Sequence, residues 1–236
     1  MSLDTICWFA LVSLFFAVFS LFRNTISLGL LERPLVIGLF WGTFSKDYVM
    51  ALNISIFFEL FWLDLIPAGT FIPPHLTAST FAALSLVTFL DITAPAQIMV
   101  VIFCCMPLAW LGAQLEAFQR DKQRKSYNQL LNWSRKPSDA KLPGMLIARS
   151  ALITLTISWS LFLVAVLALY KVMNWLLVDF STLIQGIDVS WPHLWIAATL
   201  GGVMALRLKR AYVVLTIGIC FVLFFSIWTG IAWQSS

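Results

Sequence analysis

The chain has 236 residues, of which 61% are hydrophobic and 11% are charged. Ordinary soluble domains carry about 25% charged residues, so this composition excludes a soluble globular protein, and we expect no separate soluble domain. The net charge of +4 does not indicate a nucleic-acid partner, because basic residues between apolar segments set membrane topology. The composition predicts an all-α polytopic membrane protein.

Eight apolar segments can be identified along the chain. A membrane-spanning helix needs about 20 mostly apolar residues, so the length allows roughly six to eight crossings. The second segment is too short to span by itself, and we expect some segments to be broken or re-entrant. In chain order the segments cover residues 5–22, 34–45, 48–66, 76–92, 95–115, 151–177, 192–206 and 211–233.

A polar, basic segment at residues 116–150 divides the chain into an N-terminal membrane part, residues 1–115, and a C-terminal one, residues 151–236. Eight of the fifteen Lys and Arg residues lie in this segment, so the positive-inside rule predicts a cytoplasmic loop. Aromatic residues alternate with the basic ones, which is typical of a helix lying on a membrane surface. The segment either contacts lipid head groups and sets topology, or docks an acidic cytoplasmic partner.

Two carboxylates, Glu59 and Asp64, lie inside the apolar segment 48–66. A buried carboxylate without a partner costs several kcal/mol, so ionisable groups within membranes usually have a function. A run of helix breakers and a histidine follow: Pro67, Gly69, Pro73, Pro74 and His75. Acidic groups beside a broken apolar segment are typical of a polar-solute site within a membrane.

On a continuous helix, Ser55, Glu59 and Trp62 share one face, and Asp64 lies on another. We expect Glu59 to face a cavity and to accept hydrogen bonds from the hydroxyls of a sugar-like solute. The alternative is a structural carboxylate bonded to the backbone, to Ser55 or to an arginine. For His75 the alternative is a helix-capping or interfacial histidine. The candidate substrate-binding residues are Ser55, Glu59, Asp64, Gly69, Pro74 and His75.

Signatures of soluble enzymes are absent from the sequence, including a P-loop, GxSxG, HExxH, CxxC and a glycine-rich dinucleotide turn. The two histidines are too scattered to indicate a metal site. All four cysteines lie in apolar runs, so we interpret them as small hydrophobic residues and not as disulfides. We expect no catalytic residue, metal or cofactor, and a transporter subunit instead of an enzyme.

A motif with fixed spacing extends from Arg33 to Ser79. Glu59 follows Arg33 by 26 residues, and Gly69 and Pro74 follow Glu59 by ten and fifteen. The matching positions are Arg33-Pro34-Leu35, Gly42, Asp47, Glu59, Gly69, Pro74 and Ala78-Ser79. This motif resembles that of the membrane subunit IIC of the mannose/fructose/sorbose-type bacterial phosphotransferase system. It covers about a fifth of the chain.

The chain departs from the family pattern around the glutamate. Ser55 and Ile56 replace a small, glycine-rich pair, Asp64 stands where glycine is common, and His75 stands where aspartate is common. Bulky residues also replace smaller neighbours, namely Phe57, Phe58, Phe61 and Trp62. These differences are expected to change which solute fits, so the identity of the sugar is not inherited.

The resemblance implies a permease subunit, in the bacterial cytoplasmic (inner) membrane, of an oligomeric complex. In that family a second membrane subunit, IID, helps to hold the sugar, and a cytoplasmic IIB subunit phosphorylates it from a phosphohistidine. The IIC subunit does not carry the phosphoryl group. Of the candidate residues, the resemblance implies a solute-binding role for Glu59. The same role for Asp64 and His75 is inferred from local chemistry.

Two other functions remain open from the sequence. One is a solute-binding membrane subunit of an ATP-driven vitamin-type transporter, which needs no phosphoryl donor. The other is a non-transporting assembly or sensory subunit, which the bulky residues around Glu59 would suit. Neighbouring genes for IID-like and IIB-like proteins would favour the phosphotransferase function, and a pair of ATPase genes would favour the vitamin-type transporter.

Overall fold

The computed structural model describes residues 2–25, 30–63, 72–135, 142–205, 213 and 216–217. Within these ranges the regular elements are all helices and no strand occurs, as the composition predicted. The helices are α1 (Leu3–Thr25), α2 (Pro34–Ser45), α3 (Tyr48–Phe61), α4 (Leu76–Phe89), α5 (Pro95–Arg135), α6 (Leu142–Asp179), α7 (Ser181–Gln185) and α8 (Trp191–Ala205).

Helix lengths separate spanning helices from short ones. Among the described residues, three stretches are long and apolar enough to cross a membrane: Leu3–Phe22 in α1, Pro95–Arg135 in α5 and Pro143–Asp179 in α6. Three consecutive short apolar helices, α2, α3 and α4, lie between α1 and α5 in the chain. They have 12 to 14 residues, or roughly 18–21 Å at 1.5 Å per residue, against a hydrocarbon core of about 30 Å.

Local sequence explains where α2 and α3 begin and end. Arg33 has an extended backbone, and Pro34 occupies the first turn of α2, where its missing N–H costs nothing. Lys46 ends α2 in a left-handed conformation, with φ of 62°. Asp47 then caps α3 by accepting a hydrogen bond from the Met50 N–H at 3.0 Å. These features fold α2 and α3 into a tight helical hairpin.

The core of the protein is built around α4, which contacts α1, α2, α3, α5 and α6. Every residue from Leu76 to Val87 is buried, as expected for a helix that is apolar on all sides. The hydroxyl groups of Ser79, Thr80 and Ser85 donate to carbonyl oxygens of the preceding turn, for example Thr80 to Leu76 at 2.9 Å. Thr77 and Thr88 instead bond to the side chains of His75 and Trp41.

The remaining bundle packs aromatic rings and small residues around this core. Phe16 of α1 stacks on Phe162 of α6, with ring centroids 4.0 Å apart. Helix α8 lies so close to α3 that a Cβ atom on Gly202 would come within 2.5 Å of the Leu60 carbonyl oxygen. The glycine is thus needed for the contact between these two helices.

The structure corrects two boundaries predicted from hydropathy. The segment 48–66 is not one helix, because α3 ends at Phe61. The segment 116–150 is not a loop through most of its length, because α5 continues to Arg135 and α6 begins at Leu142. Hydropathy detects apolar runs and not helix ends. It therefore could not locate the end of α3 or the polar extensions of α5 and α6. Most of the predicted segment 211–233 lies outside the described residues.

Candidate functional site

Glu59 lies near the end of α3 and faces the start of α2. Its Oε1 atom forms an ion pair with Arg33 Nη1 at 3.1 Å, and its Oε2 accepts a long hydrogen bond from the Leu35 N–H at 3.4 Å. The carboxylate also lies at the N-terminus of α2, where the helix dipole favours negative charge. The side chain of Glu59 is 18% exposed and that of Arg33 is 47% exposed.

The pairing of Glu59 with an arginine matches the alternative left open by the sequence. It also explains the 26-residue spacing in the motif, because Arg33 and Glu59 join adjacent helices. The carboxylate can nevertheless accept a further hydrogen bond, because Oε2 accepts one long bond and part of the group remains accessible. A solute hydroxyl that approached this side could donate a hydrogen bond to Oε2.

Ser55 lies one helical turn before Glu59 and faces α2 as well, so two of the three residues predicted to share a face do so, while Trp62 lies beyond the end of α3. Its side chain is fully buried, and its Oγ has no hydrogen-bond partner among the residues that the structure describes. A Cβ atom added to Gly38 would collide with this Oγ and would lie 2.7 Å from the Ser55 Cβ. The serine therefore lies at a close contact between α2 and α3.

His75 lies at a different place, where the chain enters α4. Its backbone N–H donates to the Ala109 carbonyl of α5 at 2.8 Å, and its ring is buried. The ring nitrogens lie within hydrogen-bond distance of two hydroxyls, Ser20 Oγ of α1 at 3.3 Å and Thr77 Oγ1 at 2.5 Å. His75 is the N-cap residue of α4 without a capping side-chain bond, so its side chain instead joins α1 to α4. Pro74, in the extended residues before it, is half-buried.

A buried polar cluster continues from His75 between α5 and α6. Glu116, Gln119 and Ser158 are each at most 6% exposed. Gln119 Nε2 donates to Ser158 Oγ at 3.3 Å, and Glu116 is paired with Arg120 one turn further along α5. These groups and His75 line a cavity of about 20 Å³, which has room for one water molecule.

The structure thus divides the predicted site residues into two groups. Ser55 and Glu59 lie on the α3 face that contacts α2, while Pro74 and His75 lie where α4 meets α1 and α5. Asp64 and Gly69 lie outside the described residues. Among the described residues no group of three or more His, Cys, Asp or Glu side chains could hold a metal ion.

Sequence reasoning missed the partners of His75. Glu116 and Gln119 had been assigned to a loop, and Ser20 and Ser158 lie in apolar helices far from His75 in the chain. A signal was present in the spacing: Gln119 and Gln123 on α5 are four residues apart, as are Ser158 and Thr154 on α6. The second amide also pairs across the helices, with Gln123 Nε2 3.3 Å from Thr154 Oγ1.

A second polar cavity, of about 140 Å³, lies between the α2–α3 turn and the α4–α5 turn. Two carboxylates, Asp47 and Asp91, and the hydroxyls of Ser45 and Thr88 line it beside the indole of Trp41. Trp41 donates from Nε1 to Thr88 Oγ1 at 3.0 Å. Carboxylates and hydroxyls of this kind can accept hydrogen bonds from a hydroxylated solute.

Gly112 permits the close contact between α5 and the start of α4. A Cβ atom at this position would lie 2.5 Å from the Cβ of His75. We expect Gly112→Ala to displace His75 and to destabilise the protein by about 1–3 kcal/mol, as overpacking does. Thermal denaturation of the purified chain in detergent measures the loss. Gly144→Ala is the matched control, because nothing lies within 4 Å of that Cβ; equal losses for both variants would contradict the prediction.

Comparison with known proteins identifies the fold alone. No protein-family model and no curated protein matches the chain. A solved structure described as "Structure of membrane protein" is similar, with a TM-score of 0.64 and 14% sequence identity over 98% of this chain and 94% of that one. The chain is therefore a multi-pass, all-α membrane protein whose fold resembles that of a solved membrane protein.

Proposed function

We propose that this chain is the membrane permease subunit of a sugar phosphotransferase system, of the mannose/fructose/sorbose type, in a bacterial inner membrane. With a IID-type subunit it forms the path for a sugar, and a IIB-type subunit phosphorylates the sugar as it leaves on the cytoplasmic side. The chain itself performs no phosphoryl transfer.

One observation carries this proposal, namely the interruption of the bundle between two spanning helices. Between α1 and α5 the chain forms three helices that are each too short to cross, and the described residues between α3 and α4, 62–63 and 72–75, are not helical. Non-helical backbone at membrane depth is tolerated where it lines a cavity or is buried in protein, and transporters place solute sites at such breaks. Buried polar side chains at the start of α4 are consistent with this use.

The local roles of the motif residues also support the proposal. Arg33 and Glu59 pair, Asp47 caps α3, and Ala78 and Ser79 are buried in α4. The family motif therefore coincides with positions that shape the short helices. We assign solute contact to Glu59, through Oε2.

The remaining candidates differ in how their contacts fit the solute-binding role predicted for them. His75 and Pro74 flank the break on the α4 side, whereas Ser55 packs between α2 and α3 behind Glu59. Asp64 and Gly69, which lie outside the described residues, keep the solute-binding role proposed from the sequence.

The orientation follows from charge. The basic ends of α5 and α6, including Arg120, Lys122 and Arg149, are proposed to face the cytoplasm by the positive-inside rule. That orientation puts the sugar's exit and the IIB-type donor on the same side.

The proposal is tested with membranes that contain this chain and its IID-type partner. We expect phosphorylated sugar to accumulate only when phosphorylated IIB is supplied, and a screen of hexoses, hexosamines and ketoses to identify the substrate. Omission of the IID-type partner is the control for a complex. Uptake of unmodified sugar without IIB would contradict group translocation.

A further inference from the structure

A polar cleft lies between the basic halves of α5 and α6, beyond the apolar part of the bundle. Its volume is about 190 Å³, which corresponds to roughly six water molecules at ~30 Å³ each. Amide and hydroxyl side chains line it, including Gln119, Gln123 and Thr154. Because Gln119 and Gln123 are bonded to hydroxyls of α6, this part of the wall is fixed by contacts between the two helices.

The charge of the cleft is positive. Lys122 and Arg149 line it, and none of the described residues around it is a carboxylate. Among the residues that the structure describes, no carboxylate pairs with either cation. Lys122 instead lies over the ring of Phe118, with Nζ 4.4 Å from the centroid. The neighbouring Arg120 differs, because Glu116 neutralises it.

The position of the cleft along α5 determines which ligands can reach it. Its lining extends along α5 from Gln119 to Gln129, about 15 Å of helix, and begins just past the apolar segment 95–115. The head-group layer is roughly 5–8 Å thick on each side of a bilayer. The cleft therefore starts at head-group level and opens toward water, so both a lipid head group and a soluble anion can enter.

We propose that this cleft binds a phosphate group, carried either by an anionic phospholipid or by a soluble phosphate ester. Two cations and several neutral donors around one cavity match the several acceptor oxygens of phosphate. Basic pockets between membrane helices on the cytoplasmic side bind phosphate-bearing head groups for the same reason. This assignment does not depend on the proposed transport function.

The test measures binding to the purified full-length chain in an uncharged detergent by titration calorimetry. The lipid probe is dioctanoyl phosphatidylglycerol, with dioctanoylglycerol as its phosphate-free control. The soluble probe is glucose 6-phosphate, with glucose as its control. We expect at least one phosphate probe to bind at least tenfold more tightly than its control, and the probe that binds identifies the source of the phosphate.

Variants then assign the binding to the cleft. The double variant Lys122→Gln/Arg149→Gln is expected to weaken binding at least tenfold, whereas Arg149→Lys, which keeps the charge, stays within about threefold. Arg124→Gln is the control, because it removes one charge from an exposed position of α5 without lining the cleft. The proposal is overturned if neither phosphate probe exceeds its control, or if Arg124→Gln weakens binding as much as the double variant.

Discussion

Gly38→Ala is expected to separate α2 from α3 and to lower the thermal denaturation temperature of the purified chain by several degrees. The added methyl group would collide with Ser55 Oγ, and it would lie 2.7 Å from the Ser55 Cβ and 3.1 Å from the Ala51 carbonyl oxygen. Overpacking of this kind costs about 1–3 kcal/mol. Because Arg33 and Glu59 hold the same helix pair about one turn away, transport should fall as well.

A compensating change tests the geometry behind this expectation. Ser55→Gly removes both serine atoms that the new methyl group would meet, so Gly38→Ala/Ser55→Gly should recover most of the lost stability. Ser55→Ala alone removes a buried hydroxyl without a partner, and we expect it to be neutral or stabilising. Gly144→Ala again controls for the general effect of replacing a helical glycine. If the double variant is no more stable than Gly38→Ala, the contact between Gly38 and Ser55 does not limit the packing.

Local signals in the sequence explain where α2 and α3 begin, but not where α3 ends. Pro34 marks the start of α2 and Asp47 caps α3, and both act within a few residues of their position. The predicted segment 34–45 therefore coincides with α2, and the predicted segment 192–206 differs from α8 by one residue at each end.

The extensions of α5 and α6 could not be predicted in the same way. Gln119 and Gln123 are polar, so a hydropathy criterion assigns them to a loop. They instead lie on the extension of α5 and bond to Ser158 and Thr154 on the neighbouring helix. Pairs separated by more than thirty residues cannot be read from one sequence.

In the candidate site, too, single residues could be predicted from the sequence but their distant partners could not. The unusual residues Glu59 and His75 were recognisable because polar side chains next to apolar runs are rare. Their partners were not, since Arg33 and Ser20 lie 26 and 55 residues away. Arg33 was present in the family motif, but only the structure joins it to Glu59.

Glu59→Gln is expected to lower solute affinity at least tenfold, about 1.4 kcal/mol, while the complex still inserts and assembles. The amide keeps the size of the carboxylate but loses its charge, and with it the acceptor strength that a sugar hydroxyl requires. Arg33→Gln should have a smaller effect on affinity, since a half-exposed ion pair contributes only about 0.2–1 kcal/mol. Affinity is measured by sugar binding to the purified complex, and assembly by copurification of the partner subunit.

Exchanging the two charges separates the role of the ion pair from the role of the carboxylate. Arg33→Glu/Glu59→Arg can restore an ion pair between α2 and α3, so assembly should survive. Solute affinity should stay low, because a guanidinium group offers donors only and cannot replace the Oε2 acceptor. Recovery of affinity in the exchanged variant would mean that Glu59 supports sugar binding only by holding α3 against α2, without contacting the sugar. Failure of Glu59→Gln to insert or to bind its partner subunit would likewise make the carboxylate structural, and the solute contact would then belong to the break between α3 and α4.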